Sequence, residues 1–458
     1  MQHRIVVIGA GYTGAAAAGR LAKRLHSDDV AITLVNAEPD FVERVRLHQL
    51  AVGQSLKPRP FSEMFAGTGV ALKLGRVTGV DADRRTVRVV AVDGAAEAEG
   101  LERGGLGREG LGRGGLGREG LEREGLGRGG LGREGLGREG LGREGLGYEE
   151  PAYEELEYDT LVYALGSGWN DHGVPGTAEH AYEIASRPGA LRLRERLAGL
   201  GAGQPVVVVG GGLTGVEAAT EIAEARPDLD VALAVRGGLG DWLSPKGRRH
   251  LRKVVDNLGI TVHEDTAVAA VEADHVTTAD GTAVPAVVTV WTAGFAVHPI
   301  AQATTLEVNG TGQIVVDRSM RSVSHPEVYA IGDAAMVMGP GDKPLRMSCA
   351  SGVPTAWQAA DAIAARLTGA KVPTTPVRYF NQCISLGRRE GLIQYVTADD
   401  RAVSAALTGR LAAVYKELIC KGAAWGVANP TVGTLARRRR VVAEPVRDGN
   451  GAGVKAAA

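Results

Sequence analysis

Six glycines at matched spacing are the residues of this chain best suited to chemistry. Gly9, Gly11 and Gly14 punctuate Gly9-Ala10-Gly11-Tyr12-Thr13-Gly14, and Gly210, Gly212 and Gly215 punctuate Gly210-Gly211-Gly212-Leu213-Thr214-Gly215. In each copy the first glycine permits a tight turn out of a strand. The second lets backbone approach a pyrophosphate with no Cβ in the way, and the third lets a helix lie close on a sheet. Unpaired N–H groups and the positive dipole end at the helix start then face the phosphates.

Such a turn is specific only between a buried strand and a helix, and both copies have that context. The first follows Arg4-Ile-Val-Val-Ile8 and leads through an Ala-rich helix to Val30-Ala-Ile-Thr-Leu-Val35. The second follows Val206–Val209 and leads through a helix to Val231-Ala-Leu-Ala-Val235. Two units so far apart in one chain imply two different dinucleotides, a flavin fed by a nicotinamide.

The 458 residues leave room for two or three domains. A net charge of −1 and an aromatic content of 4% argue against a nucleic-acid partner. No run of eighteen apolar residues occurs, and the first strand starts at Arg4, so a cytoplasmic protein is expected. Cys349, Cys383 and Cys420 form no closely spaced pair and read as small buried hydrophobes rather than nucleophiles. No metal site is expected.

Residues 100–147 repeat a five-residue Gly-Leu-Gly/Glu-Arg-Glu/Gly unit nine times. That period matches neither helix nor strand, and its leucines cannot offset the ordering entropy of so much glycine, so disorder is expected. The flanking segments 86–92 and 156–163 read as neighbouring strands. Lengthening a loop between them tenfold adds only about 2 kcal/mol of closure entropy.

Three further motifs follow in order: Tyr158-Asp-Thr-Leu-Val-Tyr-Ala-Leu-Gly166-Ser167, Val288-Thr-Val-Trp-Thr-Ala-Gly294 and Val328-Tyr-Ala-Ile-Gly332-Asp333-Ala-Ala335. With the two glycine turns, they resemble the pyridine-nucleotide-dependent FAD oxidoreductases. The missing cysteine pair, which disulfide reductases carry soon after the first turn, and the form Gly-Gly-Gly-Leu-Thr-Gly-Val-Glu resemble type II NADH dehydrogenases and apoptosis-inducing-factor-like reductases within that family. The implied fold is α/β, with two nested Rossmann-like domains: an FAD domain over 1–170 and 301–369, interrupted by an NAD(P)H domain over 171–300. Residues 370–458 form a C-terminal subdomain and flexible tail.

The resemblance also implies roles. Gly9, Gly11, Tyr12, Thr13 and Gly14 meet the FAD pyrophosphate, and Gly166 lies beside the flavin nucleotide. Asp333 accepts from the ribityl chain or approaches the phosphates. Thr355 and Ala356 belong to the run Ser351–Gln358, which opens a helix aimed at the flavin, unless it is an ordinary helix with Pro354 in its first position. Where an acidic ribose ligand is expected, the first unit has Asn36, so Asn36 itself or Glu38 takes that role. Gly210, Gly212, Leu213, Thr214, Gly215 and Gly294 meet the nicotinamide nucleotide. Arg236 replaces the second acidic residue and suits a 2′-phosphate, which leaves both NADH and NADPH open.

Glu217 matches a family glutamate near the nicotinamide–flavin junction and is the one catalytic candidate; an exposed first-turn glutamate is the plainer alternative. Arg44, Arg46, His48 and Gln49 either pass the flavin or form a solvated helix face. A helix around Gly409–Lys421 carries a thin apolar side, so a solvated tail is favoured over peripheral contact with the cytoplasmic membrane face. The expected reaction is hydride transfer from NAD(P)H to FAD, then two electrons to an acceptor, with a quinone first choice. The alternatives are a soluble reductase for an electron-transfer protein or small metabolite, and a redox-regulated binding protein contacting partners through the repeat. A homodimer through the C-terminal region is a family expectation.

Overall fold

The computed structural model describes residues 1–92, 152–429, 431 and 437–442. The expected disorder of 100–147 and the extreme C-terminal tail lie outside these residues.

The apolar runs become the centres of two parallel sheets. In the first, His3–Ile8 lies between Thr160–Tyr163 and Val30–Asn36, with Val328–Ala330 and Val70–Leu74 at the edges. Ile5, Val6, Val7 and Ile8 are all buried, the pattern of a strand covered on both faces. The covering helix Tyr12–Arg24 presents Ala15, Ala17 and Ala18, and these small side chains let it pack closely on a second helix, Cys349–Leu367, through Ala356, Ala359 and Ala360.

The second sheet repeats the plan. Pro205–Val209 lies between Asp230–Ala234 and Val288–Trp291, with Thr261–His263 and Ala181–Tyr182 outside. The chain leaves the first sheet region through Ser167–Trp169 and returns through Phe295–Val297, and the two crossings pair as an antiparallel ribbon. The chain is therefore an α/β protein with two parallel, Rossmann-like sheets.

Residues 381–408 carry an ordered sheet. Asn381–Ser385, Gly391–Val396 and Ala402–Thr408 form an antiparallel sheet, followed by the helix Arg410–Ala428. Ile384, Leu386, Leu392 and Ala406 join the hydrophobic core of the second sheet region. Leu47, Leu50 and Ala51, from a short helix of the first region, enter the same core. Three parts of the chain thus share one core.

The strand after the repeat pairs where a hairpin partner should. Val90 lies opposite Tyr153, and Thr86 opposite Glu157, while Thr160–Tyr163 joins the main sheet instead. Adjacent strand ends need only a short connection. Deleting 100–147 is therefore expected to leave the thermal midpoint and the rate of flavin reduction by NAD(P)H within error of the full chain, which calorimetry and stopped-flow absorbance would check.

Candidate active site

Both glycine turns are built alike. A Cβ on Gly9 would lie 2.4 Å from the Ala164 carbonyl oxygen, and one on Gly210 would lie 2.6 Å from the Thr292 hydroxyl. Gly14 and Gly215 are tighter still, because an added Cβ would meet the carbonyl oxygens of Gly9 and Gly210 at 1.7 and 1.8 Å. By contrast, Gly11 and Gly212 have no neighbour within 4 Å of that position. Each turn therefore packs against its own sheet on two glycines and leaves open space at the third, directly at a helix start.

Around the first turn, several polar groups are already engaged. Asn36 accepts from the Ala10 N–H at 2.9 Å through Oδ1 and donates to the Glu38 carbonyl at 2.9 Å through Nδ2. Both ends of its amide thus brace the turn, which leaves one N–H and one oxygen lone pair of Asn36, beside the Glu38 carboxylate, for ribose hydroxyls. The Tyr12 ring packs edge-on against Phe41 at 4.8 Å, so at this position the chain offers backbone rather than a phenol to the turn. Arg236 stands exposed beyond the end of Asp230–Ala234.

Asp333 accepts from the Ser167 hydroxyl at 2.6 Å, and the Arg44 guanidinium stands 4.0 Å from the same carboxylate. Ser167 follows Gly166, which adopts φ +69°, so the domain crossing itself positions the partner of Asp333. Gly294, on the returning crossing, is backed by His172, whose Nε2 would lie 2.6 Å from an added Cβ.

The helix expected to open near Ser351 begins at Cys349, so Pro354 is an interior residue rather than its first. Proline there lacks the N–H that would reach Ala350, a loss confined to the start of the helix. Thr355 is fully occupied: its hydroxyl accepts from the Gly332 N–H at 3.1 Å and donates to the Gly352 carbonyl at 2.6 Å. Ala356 is completely buried. Cys349 is exposed, contrary to the expectation of a buried sulfur, yet protein crowds it on most sides. That crowding pushes its thiol up to about 11, so it stays protonated at neutral pH.

Glu217 lies neither exposed on a first turn nor free for acid–base work. It is buried, accepts from the Ser385 N–H at 2.9 Å, and meets Lys416 Nζ at 2.8 Å. Burial alone would raise its pKa, but Lys416 and His48 more than reverse that and hold it below the ordinary value. Lys416 also donates to the Cys383 carbonyl at 3.0 Å. Beside this pair, Arg46 bridges Glu43 at 3.2 Å and Glu417 at 2.9 Å. Arg46, His48 and Gln49 are buried here, so the solvated-face reading of 44–49 fails: the short helix packs on Arg187–Ala198 and Leu213–Ala225, and Arg46 reaches Glu417 of the C-terminal helix.

Comparison with known proteins follows this geometry. A model of the pyridine nucleotide-disulphide oxidoreductase family matches residues 141–364. The chain is 26% identical over 376 residues to an NADH dehydrogenase-like protein of Mycobacterium tuberculosis, covering 77% of each. It is 27% identical over 216 residues to a type II NADH:quinone oxidoreductase of Haemophilus influenzae, covering 39% of this chain and 49% of that one. The structure of a sulfide:quinone oxidoreductase from Aquifex aeolicus superposes with a TM-score of 0.70 at 17% identity, covering 94% of this chain and 93% of that one.

This chain belongs to the pyridine-nucleotide-dependent FAD oxidoreductases.

Family membership makes FAD and NAD(P)H its cofactors, and the residues present fit them. The open spaces at Gly11 and Gly212, each at a helix start, are where a Cβ would fill the cradle of a pyrophosphate. Among the described residues no helix is long and apolar enough to cross a membrane, and no cluster of metal-ligating side chains occurs.

In this oxidoreductase the junction residues Lys416, Ser385 and Glu417 escaped sequence reasoning. His48, read from sequence as passing the flavin or lying on a solvated face, is buried at this junction. Burial lowers its pKa to about 4 from an ordinary 6.5, whereas burial raises the nearby Glu221 to about 7 from 4.5. The two have opposite linkage. His48 binds fewer protons folded than unfolded, so its contribution is lost as pH falls from 6.5 toward 4. Glu221 binds more protons folded, so its contribution is lost as pH rises from 4.5 through 7. Between pH 4.5 and 6.5 they nearly cancel. Glu221→Gln is expected to unmask the histidine, giving a stability that climbs by about 3 kcal/mol across that window in urea titrations. His48→Gln is expected to tilt the same curve the other way.

Proposed function

We propose that the chain oxidises NADH or NADPH and passes the two electrons to a quinone. The observation that carries this reading is the pair of matching open cradles, joined by a two-stranded crossing, with no closely spaced cysteine pair beside them. The chemistry a bound flavin supplies is acceptance of a hydride from the nicotinamide and release of both electrons to the acceptor.

The chain's own residues bind and orient. Gly9, Gly11 and Gly14, with the N–H groups of Tyr12 and Thr13, cradle the FAD pyrophosphate, and Glu38 takes the adenosine ribose. Asp333, aligned by Ser167, and Gly166 line the flavin side of the crossing. Thr355 holds Gly332 in place so that Asp333 keeps its position. Gly210, Gly212, Leu213, Thr214 and Gly215 cradle NAD(P)H beside Gly294, and Arg236 is free to meet a 2′-phosphate. Glu217 acts as a positioning residue, clamping the nicotinamide-side helix to Lys416, and transfers no proton.

Quinone as acceptor is supported by the Haemophilus relative and by a feature of the C-terminal helix. Leu411, Val414, Leu418, Ile419 and Trp425 are exposed along Arg410–Ala428, a fuller apolar side than the sequence implied. Such a face suits peripheral contact with a lipid surface that holds the acceptor; a homodimer contact through the same face is its competitor. Acceptor screening of the anaerobically reduced protein tests the reading. Reoxidation by a short-chain quinone should far outpace that by oxygen or a ferredoxin; the reverse order would reject a quinone acceptor.

A further inference from the structure

We propose that a basic cavity of about 360 Å³, at the end of the paired helices remote from the glycine turn, binds a small phosphate-bearing anion. Its walls are the C-terminal ends of Tyr12–Arg24 and Cys349–Leu367, the loop through Lys371 and Pro373, and the segment carrying Arg437 and Arg439. Four cations, Arg24, Lys371, Arg437 and Arg439, face one carboxylate, Asp361.

That carboxylate is already shared. Asp361 Oδ1 lies 2.6 Å from the Nε atoms of both Arg20 and Arg24. Among the described residues Lys371, Arg437 and Arg439 form no ion pair. The adjacent Asp28 and Asp29 are engaged by Arg440 at 3.1 and 3.2 Å. The negative ends of the two helices attract cations, but Arg24 and Lys371 answer that attraction, which leaves Arg437 and Arg439 in excess. Their placement is built into the fold. Arg439 donates its N–H to the Arg24 carbonyl at 2.8 Å and accepts from the His26 N–H at 3.1 Å, while Val442 donates to the Leu367 carbonyl at 2.9 Å.

The cluster is electrostatically unfavourable as it stands. Burial lowers the pKa of Arg24, Asp361 opposes that, and Arg20 and Arg439 lower it further. An anion with two or three charges relieves this repulsion, and guanidinium groups match phosphate oxygens with paired N–H donors. The cavity has the size of a small-metabolite site. A free phosphate ester and a phospholipid headgroup share this chemistry.

The test uses FAD-loaded protein saturated with NAD⁺, so that the dinucleotide cradles are filled. Inorganic pyrophosphate and AMP are titrated by calorimetry, and pelleting is measured with phosphatidylcholine vesicles with and without phosphatidylglycerol. One saturable site per chain, weakened at least tenfold by Arg437→Ala/Arg439→Ala and severalfold by Lys371→Gln, is the expected result. Reductase activity should be unchanged in these exposed-residue variants. If pyrophosphate binds while the vesicle association of the double variant matches wild type, the ligand is a free anion. If phosphatidylglycerol-dependent pelleting is competed by pyrophosphate and lost in the double variant, it is a headgroup. Absence of saturable binding of every probe, or binding unchanged in the double variant, would overturn the site.

Discussion

Lys416→Met is expected to destabilise the protein by about 3–5 kcal/mol, because it strands the Glu217 carboxylate in a buried site. Glu217 and Lys416 are nearly enclosed, and the pair links the nicotinamide-side helix, Leu213–Ala225, to the C-terminal helix. An exposed ion pair would be worth less than about 1 kcal/mol, so the size of the loss reports directly on burial. Because the methionine stem replaces most of the lysine volume, lost packing is a small part of the effect.

The double variant Glu217→Gln/Lys416→Met should recover most of that loss. The glutamine carbonyl can still accept from the Ser385 N–H, and no buried charge remains unpaired. Urea titrations of the four proteins form a cycle whose coupling measures the pair. The single variant should also become sensitive to proteolysis between the C-terminal sheet and helix, since the junction fastens that subdomain to both sheet regions. Equal losses in the single and double variants would mean that Lys416 acts through packing alone.

Gly11→Val is the second large effect, and it falls on cofactor retention rather than on folding. Gly11 has φ −66° and no neighbour within 4 Å of its missing Cβ, so the fold itself accepts a side chain there. The branched side chain instead occupies the space proposed for the FAD pyrophosphate. Purified Gly11→Val should show a wild-type circular dichroism spectrum and less than about a tenth of the flavin. Gly14→Val is the contrasting control: its Cβ would sit 1.7 Å from the Gly9 carbonyl oxygen, so the turn itself must break. A yellow, fully loaded Gly11→Val protein would remove the cradle assignment.

The central strands were readable because a parallel strand buried on both faces needs a continuous apolar run, and Ile5–Ile8 and Val206–Val209 supply it. The glycine turns were readable because close backbone approach admits only one residue type. The C-terminal sheet was not. Asn381-Gln-Cys-Ile-Ser385 alternates weakly, and its core face is defined only by the second sheet region packed against it. Glu217 was placed on the correct helix, but its partner lies about two hundred residues along the chain, where no local pattern reaches. The bracing role of Asn36 was not legible either: its amide meets Ala10 and Glu38, a local arrangement that residue type alone does not reveal.

The central claim is that one glycine turn holds a flavin where a nicotinamide held by the other can reduce it. Anaerobic stopped-flow mixing of the purified, FAD-loaded protein with NADH and with NADPH tests this most directly. Bleaching of the flavin absorbance by at least one nucleotide, at a rate sufficient for turnover, is the expected result. If the protein carries FAD yet stays yellow with both nucleotides at saturation, the account is contradicted.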